Sequence, residues 1–443
     1  VETLSCGETE DLGLEIFTID AGPDYVIPID TAYELKIDPI EDEAYYTYCW
    51  EQLDNGKITS SNFGPENLLG AMTRSLPPTE ASNRYIPKIN RILSDELTEE
   101  NPRMNSDWET VSSVGRMLNW GLSVRRQNDS ITQLAQDKIE IEVSGTAGPF
   151  RIISHDEPGL LIQGGSLEQI LWDVAKTDQI PVNTSEVVIS LSTDGGLSFP
   201  IILADGVPNN GAAEVLIPND LNTNSARIKI RGKGNIFFAI NTENFSITAR
   251  DLALNFTPYE QENCSENSLR YTFTIQRSES FDDNFSLELN NLPTFVRAQF
   301  SKSIFNSSDT TGSVNLIGLS NLEAGQYRFN LEVLVNGETE TYAFLLNQRS
   351  SELTPANLLL PENNSELVNI NPILQWDDDL NTDRSRIQLA RDADFENIVL
   401  DTLVSSQQLQ VRNLEGAALY YWRIQQQNNC DVSQFSSAYS FGT

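Results

Sequence analysis

The strongest constraint on the fold is a hydrophobic pattern with a period of two residues, which recurs in short segments along most of the chain. Segments such as YVIPID, VVISLS and YYWRIQQQ alternate apolar and polar residues, and turns rich in Gly, Asn, Asp and Pro separate them. Such alternation is typical of strands with one buried face. A helical period is indicated only around residues 85–100. We therefore predict an all-β chain of tandem immunoglobulin-like and fibronectin type III-like β-sandwiches.

The length of 443 residues suits three or four domains of ordinary size. A stretch rich in Pro, Asn and Ser at residues 57–110 is too long for an ordinary loop, so we predict a partly helical insertion in the first domain. Trp50 is expected in the core of that domain. From the turn-rich junctions we predict four sandwich domains, at residues 1–144, 145–250, 251–351 and 352–443.

The charge balance is strongly acidic, with 64 Asp and Glu against 29 Lys and Arg and a net charge of −35. This balance disfavours nucleic acids and anionic lipid surfaces as partners. No apolar run approaches the roughly 20 residues that span a bilayer, so membrane insertion is not expected. The start VETLSCGETE lacks the features of a signal peptide, which we expect to lie outside this sequence.

Two short stretches predict tight hairpins. In LSTDGGLSFP, residues 191–200, we predict a structural turn formed by Asp194, Gly195 and Gly196, because Asp and Gly supply positive φ angles and local hydrogen bonds. The stretch is similar to an Asp-box hairpin, in which the Asp caps the turn and an aromatic residue packs beneath it. An active-site loop is the alternative interpretation. A second hairpin is predicted at Asn336-Gly337.

The sequence offers little for catalysis. His155 is the only histidine, so the chain cannot form the His-Glu-x-x-His site of a zinc protease, and no Gly-x-Ser-x-Gly elbow accompanies it. We interpret His155 as a surface or domain-junction residue. The carboxylates of residues 377–379 follow the strand ILQW, which favours a turn over the separated acid pair of a glycosidase. We predict that this chain is not an enzyme.

Tryptophan side chains are candidates for stacking on sugars. Trp120 and Trp422 stand beside other apolar positions of alternating segments, which favours core packing. Trp108 lies in the predicted insertion and remains the candidate for glycan binding.

Several motifs in the first two blocks resemble the non-catalytic region of secreted reprolysin-like zinc metalloproteases of the Bacteroidetes. They are TAGPF, LWDVAKTDQIPVN, ARIKIRGKGNIFFAI, GPDYVIPIDTAYEL, YTYCWEQLD and SVGRMLNWGLSVR. The stretch NLEGAALYYWRIQQQN is similar to the part of fibronectin type III modules that carries a corner tyrosine and a core aromatic residue. The resemblance implies an exported, multidomain protein. Type IX secretion sorting domains are common in that family, and none is recognisable here.

The same resemblance implies one metal site. Relatives carry an Asp-x-Asp-x-Asp run, suited to calcium, just before the strand that corresponds to YTYCWEQ. This chain has Asp38, Glu41, Asp42 and Glu43 there, and only Asp42 stands in the expected register. Calcium is therefore a candidate cofactor, and a solvated acidic loop is the alternative.

The four cysteines allow two disulfides in an oxidising compartment. Cys264 falls in a loop between the first two strands of the third predicted sandwich, and Cys430 falls in the loop between the last two strands of the fourth. Those loops lie at facing poles, so we predict a Cys264–Cys430 bond between domains. Cys49 points outward from its strand and could bond Cys6, although a partner in an upstream domain is nearly as compatible.

Two functions from different classes follow. The leading hypothesis is a non-catalytic accessory or scaffolding region of a secreted metalloprotease, which spaces or orients a protease domain absent from this chain. The alternative is a cell-surface adhesin or carbohydrate-binding protein. The expected partners are an upstream metalloprotease domain, another extracellular protein or a glycan, at a secreted or cell-surface location.

Overall fold

The computed structural model describes residues 17–40, 45–128, 131–278, 281–349, 352–378 and 381–443. The chain is all-β and built of tandem sandwich domains, as the alternating pattern predicted. It divides into two compact units: the first ends at Gly148 and includes Asn235–Phe237, and the second holds Pro149–Gly234 and Phe238–Thr443. In the described part of the chain, no helix is long and apolar enough to cross a membrane.

The first unit is organised by a long antiparallel hairpin, β5–β6, in a four-stranded sheet with the order β1-β6-β5-β3. A second pair, β2 and β4, runs antiparallel. Trp50 and Trp120 are buried in the core, at 3% and 0% exposure. The strands are β1 (Tyr25–Pro28), β2 (Ala32–Lys36), β3 (Tyr45–Gln52), β4 (Asn83–Ile86), β5 (Arg116–Asn128) and β6 (Ile131–Ser144).

The insertion at residues 57–110 is partly helical, as predicted, and it contributes strand β4 as well as one short helix, α1 (Ile89–Leu93). Burial explains the strand. Arg84 and Ile86 of β4 are buried, and Arg84 donates to the Trp50 carbonyl at 2.7 Å. The alternating burial of β4 is therefore that of a paired strand. Of the predicted helical stretch at residues 85–100, only α1 is helical.

The second sandwich is centred on β10, which lies between β11 and β13. Strand β13 also pairs with β14 and β15, and a separate sheet has the order β12-β9-β7. Six consecutive residues of β10, from Val187 to Ser192, are buried, which shows that both faces of this strand are covered. The strands are β7 (Arg151–Ile152), β8 (Leu161–Gln163), β9 (Leu167–Asp173), β10 (Glu186–Ser192), β11 (Ile201–Pro208), β12 (Ala212–Leu216), β13 (Thr223–Gly232), β14 (Phe237–Ile240) and β15 (Phe245–Thr248).

The third sandwich packs the sheet β16-β18-β21-β20 against the sheet β17-β23-β22-β19 around its own apolar core. The β22–β23 hairpin turns at Asn336 and Gly337, whose φ angles are 51° and 90°. The strands are β16 (Leu252–Phe256), β17 (Glu260–Asn263), β18 (Ser268–Arg277), β19 (Phe285–Leu289), β20 (Arg297–Phe300), β21 (Thr311–Ile317), β22 (Gly325–Val335) and β23 (Glu338–Gln348).

The fourth sandwich has the sheets β24-β25-β28 and β27-β26-β29-β30 and a separate core that contains Trp376, Tyr420 and Trp422. The Tyr420 hydroxyl accepts a hydrogen bond from the Glu415 backbone N–H at 2.9 Å, as in a tyrosine corner. The strands are β24 (Asn357–Leu360), β25 (Ile373–Asp377), β26 (Arg384–Ala390), β27 (Ile398–Val404), β28 (Gln408–Gln410), β29 (Leu419–Gln427) and β30 (Tyr439–Gly442). The residue-level domain boundaries stay predictions.

Candidate functional site

A disulfide bond closes the junction between the third and fourth sandwiches. Cys264 directly follows β17, and Cys430 lies in the loop between β29 and β30. Their Cα atoms are 5.4 Å apart, although the two residues are 166 positions apart in the chain. This is the pair that the strand order predicted to meet. The bond ties the two domains together at a point other than their peptide linker.

Charged side chains surround the same junction. Arg349, which follows β23, places Nη2 at 2.9 Å from Asp383 Oδ1 and at 3.1 Å from Glu262 Oε1. The Asn429 side chain donates to the other Glu262 oxygen. Burial raises the pKa of Asp383, and the attraction of Arg349 offsets this only in part. The ion pairs therefore orient the junction, while the covalent bond supplies most of its stability.

The junction between the second and third sandwiches is built on apolar contact. Leu167 of β9 forms a buried cluster with Ala343 and Leu345 of β23, and all three are at most 4% exposed. Leu216 and Tyr259 pack against this cluster. Removing this surface from water stabilises the contact without any covalent bond.

Two arginines frame that apolar cluster. Arg328 places Nη1 at 2.7 Å from Glu214 Oε2 and donates from Nη2 to the Leu167 carbonyl at 3.0 Å. Arg250 lies between the two domains, with its guanidinium carbon 4.4 Å from the centre of the Tyr342 ring. These contacts fix the second and third sandwiches against each other through side chains of both.

The Asp194 hairpin is a self-contained turn. Asp194 Oδ1 accepts backbone N–H bonds from Leu197 and Ser198, each at 3.0 Å, and the Ser192 and Ser198 hydroxyls donate to the carboxylate at 2.6 Å. Desolvation alone would raise the pKa of Asp194, but the bonds from Ser192 and Ser198 outweigh it and lower the pKa to about 2. The carboxylate is fully engaged inside its own loop.

One detail of the hairpin differs from the prediction. The positive φ angles belong to Gly195 and Gly196, at 81° and 94°, whereas Asp194 does not adopt one. The reason is that Asp194 must point its carboxylate back at the following N–H groups, which leaves the left-handed conformation to the glycines.

The interpretation of His155 as a surface residue is wrong, because the side chain is buried at 9% exposure. The alternative, a domain-junction residue, stays a prediction. Its ring lies 5.3 Å from the Phe245 ring, and its Nδ1 is 3.0 Å from the Ser154 hydroxyl. Asn241 fixes the local backbone by donating to the His155 carbonyl at 2.7 Å. Burial lowers the pKa of His155. The imidazole is a packed, neutral core group near pH 7.

The carboxylates after ILQW have a structural role where the structure describes them. Asp378 Oδ1 accepts hydrogen bonds from Trp376 Nε1 at 2.7 Å, from the Ser385 hydroxyl at 3.0 Å and from Gln426 Nε2 at 3.1 Å. Burial raises the pKa of Asp378. The group satisfies the core tryptophan at the end of β25, and Asp379 lies outside the described residues.

The tryptophans offer no open platform. Trp120 and Trp422 are fully buried. The Trp108 ring is covered by the Arg74 guanidinium at 4.3 Å and contacts the Phe63 ring at 5.5 Å, while its Nε1 donates to the Arg103 carbonyl at 3.1 Å. Stacking of a sugar on Trp108 would require Arg74 to move.

The structure describes only part of the expected calcium loop. Asp38 is exposed, whereas Glu41, Asp42 and Glu43 lie outside the described residues. Among the residues that are described, no group of three or more His, Cys, Asp or Glu side chains could hold a metal ion. The calcium site therefore stays a prediction.

The first cysteine pair cannot be followed in the same way, since Cys6 also lies outside the described residues. Cys49 forms no disulfide with any described residue. It is half-buried, its thiol lies 3.5 Å from the Leu76 carbonyl, and burial raises the pKa of the thiol.

The sequence reasoning missed a deeply buried ion pair between Arg84 and Glu109. Arg84 Nη2 lies 2.8 Å from Glu109 Oε1, and the Glu109 side chain is fully buried. The other Glu109 oxygen accepts the Lys88 backbone N–H at 2.8 Å. The only signal was a charged residue in the apolar register of NRYI. Its partner, 25 positions later, could not be identified without the fold.

No family model and no curated protein matches this chain. Among solved structures, a set of domains from titin aligns with a TM-score of 0.26 and 10% identity, over 65% of this chain and 96% of that one. The FN1-FN3 domains of chicken CNTN1 align with a TM-score of 0.22 and 13% identity, over 67% and 97%. Extracellular domains 3-5 of Drosophila OTK align with a TM-score of 0.17 and 12% identity, over 67% and 99%. Likeness at this level carries no argument about function.

Proposed function

We propose that this chain is the non-catalytic accessory region of a secreted metalloprotease, and that its sandwiches form a spacer which orients a protease domain outside this chain. The disulfide between the third and fourth sandwiches is the observation that carries the proposal. Sandwich domains on short linkers ordinarily move relative to one another. A second, covalent attachment suppresses that motion, which is the property a spacer needs.

Secretion is supported by the same bond, because disulfides persist in oxidising compartments and are rare in the cytosol. The link to a metalloprotease rests on the resemblance of the TAGPF, LWDVAKTDQIPVN and YTYCWEQLD motifs. A net charge of −35 keeps such a region soluble and separated from anionic surfaces.

The non-catalytic part of the proposal is supported by the state of the candidate reactive groups. The His155 ring is packed in a core, Asp194 is engaged in its turn, and Asp378 caps a buried tryptophan. Each side chain already has a structural role. A purified chain supplied with zinc is expected to leave casein intact, and chelator-sensitive cleavage that is absent from a mock preparation would contradict this.

The spacer role is tested by small-angle X-ray scattering of the chain and of the double variant Cys264→Ser/Cys430→Ser. The variant is expected to show a larger radius of gyration and a broader distance distribution, because the fourth sandwich gains freedom. Cys49→Ser is the matched control and should leave the scattering unchanged. Identical curves for the chain and the double variant would contradict the spacer role.

The protease link has a separate test in the complete open reading frame. The proposal requires a segment with His-Glu-x-x-His upstream of this sequence. A complete reading frame without one would remove the metalloprotease from the proposal and leave the spacer role to be judged by scattering.

A further inference from the structure

We propose that the outer face of the third sandwich binds an anionic oligosaccharide, whose sugars carry carboxylate or sulfate groups. A groove of about 560 Å³ lies on the sheet β16-β18-β21-β20. This binding site is independent of the spacer role and of the disulfide junction.

The groove is built by strand alternation. In β18, Tyr271 and Phe273 face the core, while Arg270, Thr272 and Thr274 are exposed on the opposite face. The neighbouring strands and the residue after β20 add further hydroxyl and amide side chains to the lining, from Asn255, Ser301, Thr311 and Ser313. Hydroxyl and amide groups both donate and accept hydrogen bonds, as the hydroxyls of a sugar do.

The charge of the groove contrasts with the rest of the chain. Arg270 and Lys302 line it, and none of the lining residues that the structure describes is Asp or Glu, although the whole chain carries a net charge of −35. Lys302 is held by an ion pair with Asp309 at the edge of the groove. The Arg270 guanidinium has no ion-pair or hydrogen-bond partner among the residues that the structure describes. It is therefore available for bidentate binding of a carboxylate or sulfate.

The lining favours a sugar over an apolar peptide segment. Among the described residues of the lining, Phe273 is the only aromatic one, and it is 2% exposed. Its ring fills the space beside Gly312, where a Cβ atom would fall 2.3 Å from the Phe273 ring. The groove thus offers no open apolar pocket of the kind that anchors peptide side chains.

A second cavity, of about 650 Å³, is a weaker candidate. It lies among the second, third and fourth sandwiches, and its described charged groups already have partners within the protein. Glu260 accepts a hydrogen bond from the Asn347 side chain. Glu214 binds Arg328, and Arg349 binds Glu262 and Asp383. These groups belong to the junctions described above.

The test is calorimetric titration of the whole chain with an oligogalacturonate and with a sulfated oligosaccharide, against a neutral oligosaccharide of equal length. At least one acidic ligand is expected to bind at least about tenfold more tightly than the neutral one, as one charge-assisted contact would give. Arg270→Gln is expected to weaken acidic binding by about tenfold. Arg297→Gln is the matched control, since it removes the same charge from β20 of the same sheet but outside the groove.

A second variant keeps the proposal testable if Arg270→Gln fails to fold. Thr272→Val/Thr274→Val removes two hydroxyls while keeping β-branched residues in β18, and it should also weaken binding. Three results would overturn the proposal: no binding of either acidic ligand at millimolar concentration, equal binding of the neutral ligand, or equal weakening by Arg297→Gln.

Discussion

The two inter-domain junctions of the second compact unit are held by different physical means. Between the second and third sandwiches, Leu167, Ala343 and Leu345 form a buried apolar contact. Between the third and fourth sandwiches, a disulfide and partly exposed ion pairs meet at strand ends and loops instead. The apolar junction needs only complementary surfaces, whereas the disulfide junction depends on the redox state of the compartment.

The difference reflects which part of the third sandwich each neighbour contacts. Five consecutive residues of β23, from Tyr342 to Leu346, are buried, because this strand has the domain core on one face and the second sandwich on the other. The fourth sandwich meets strand ends and loops, where polar residues prevail. Such surfaces bury little apolar area, and a covalent bond compensates.

The largest expected effect comes from breaking the covalent junction. Cys264→Ser/Cys430→Ser should lower the combined free energy of unfolding of the third and fourth sandwiches by about 4 kcal/mol, because the bond closes a loop of more than a hundred residues. Chemical denaturation checks this, with Cys49→Ser as control. An unchanged midpoint would show that the ion pairs hold the junction.

A cavity made in the apolar junction should lower the free energy of unfolding almost as much as loss of the disulfide. Leu345 is 1% exposed, so Leu345→Ala should cost about 3 kcal/mol through lost apolar burial and the space left behind. Val399→Ala in β27 is a control, since Val399 is 46% exposed and its loss should cost under about 0.5 kcal/mol. Equal effects of the two substitutions in thermal denaturation would argue against a buried junction at Leu345.

A change far from both junctions sharpens the comparison. Asp194→Ala should cost about 1 kcal/mol, because it removes the acceptor of two backbone N–H groups without touching either junction. Scattering should be unchanged while the second sandwich melts earlier. A change in scattering would show that the hairpin does take part in domain packing.

The same hairpin has an expected pH dependence. The pKa of Asp194 is lowered to about 2, below its ordinary value, so the folded state binds fewer protons than the unfolded state at mildly acidic pH. Its stabilising contribution is complete above about pH 4 and is lost as the pH falls towards 2. Acid titrations of the chain and of Asp194→Ala should therefore converge near pH 2.

The smallest expected effect is at the edge of the apolar junction. Arg328→Gln removes the ion pair with Glu214, but the Arg328 side chain is 40% exposed, so solvent and salt screen the attraction. The loss should be about 0.5 kcal/mol and should shrink in high salt. A loss as large as that of Leu345→Ala would mean that polar contacts, not apolar burial, dominate this junction.

Local patterns were sufficient for several features of the chain. The alternation of Tyr271, Phe273 and Ile275 in β18 predicted the buried face of that strand, and the Asn336-Gly337 pair predicted the β22–β23 hairpin. The order of strands placed Cys264 and Cys430 in facing loops. Each of these features depends on neighbouring residues or on the order of the strands along the chain. Both can be seen in the sequence without a structure.

Burial by a distant surface could not be recognised in the same way. The continuous burial of β10 and β23 departs from the period of two, and the burial of His155 contradicts its interpretation as a surface residue. The groove on the third sandwich could not be predicted from the sequence either. Arg270 and Lys302 are distant in the chain, and they line one groove only because β18, which carries Arg270, and β20, which Lys302 follows, lie in the same sheet.

The sequence by itself thus determined the all-β class, the tandem arrangement and the tight turns, because strand periodicity and turn chemistry act over a few residues. Only the tertiary structure decided which strands are covered on both faces and why Arg84 and Glu109 can be buried together. It also decided that the Arg270 guanidinium lines a groove without a side-chain partner among the described residues. The physical reason is that the free energy of burying a side chain depends on the surface that covers it, and that surface comes from remote parts of the chain.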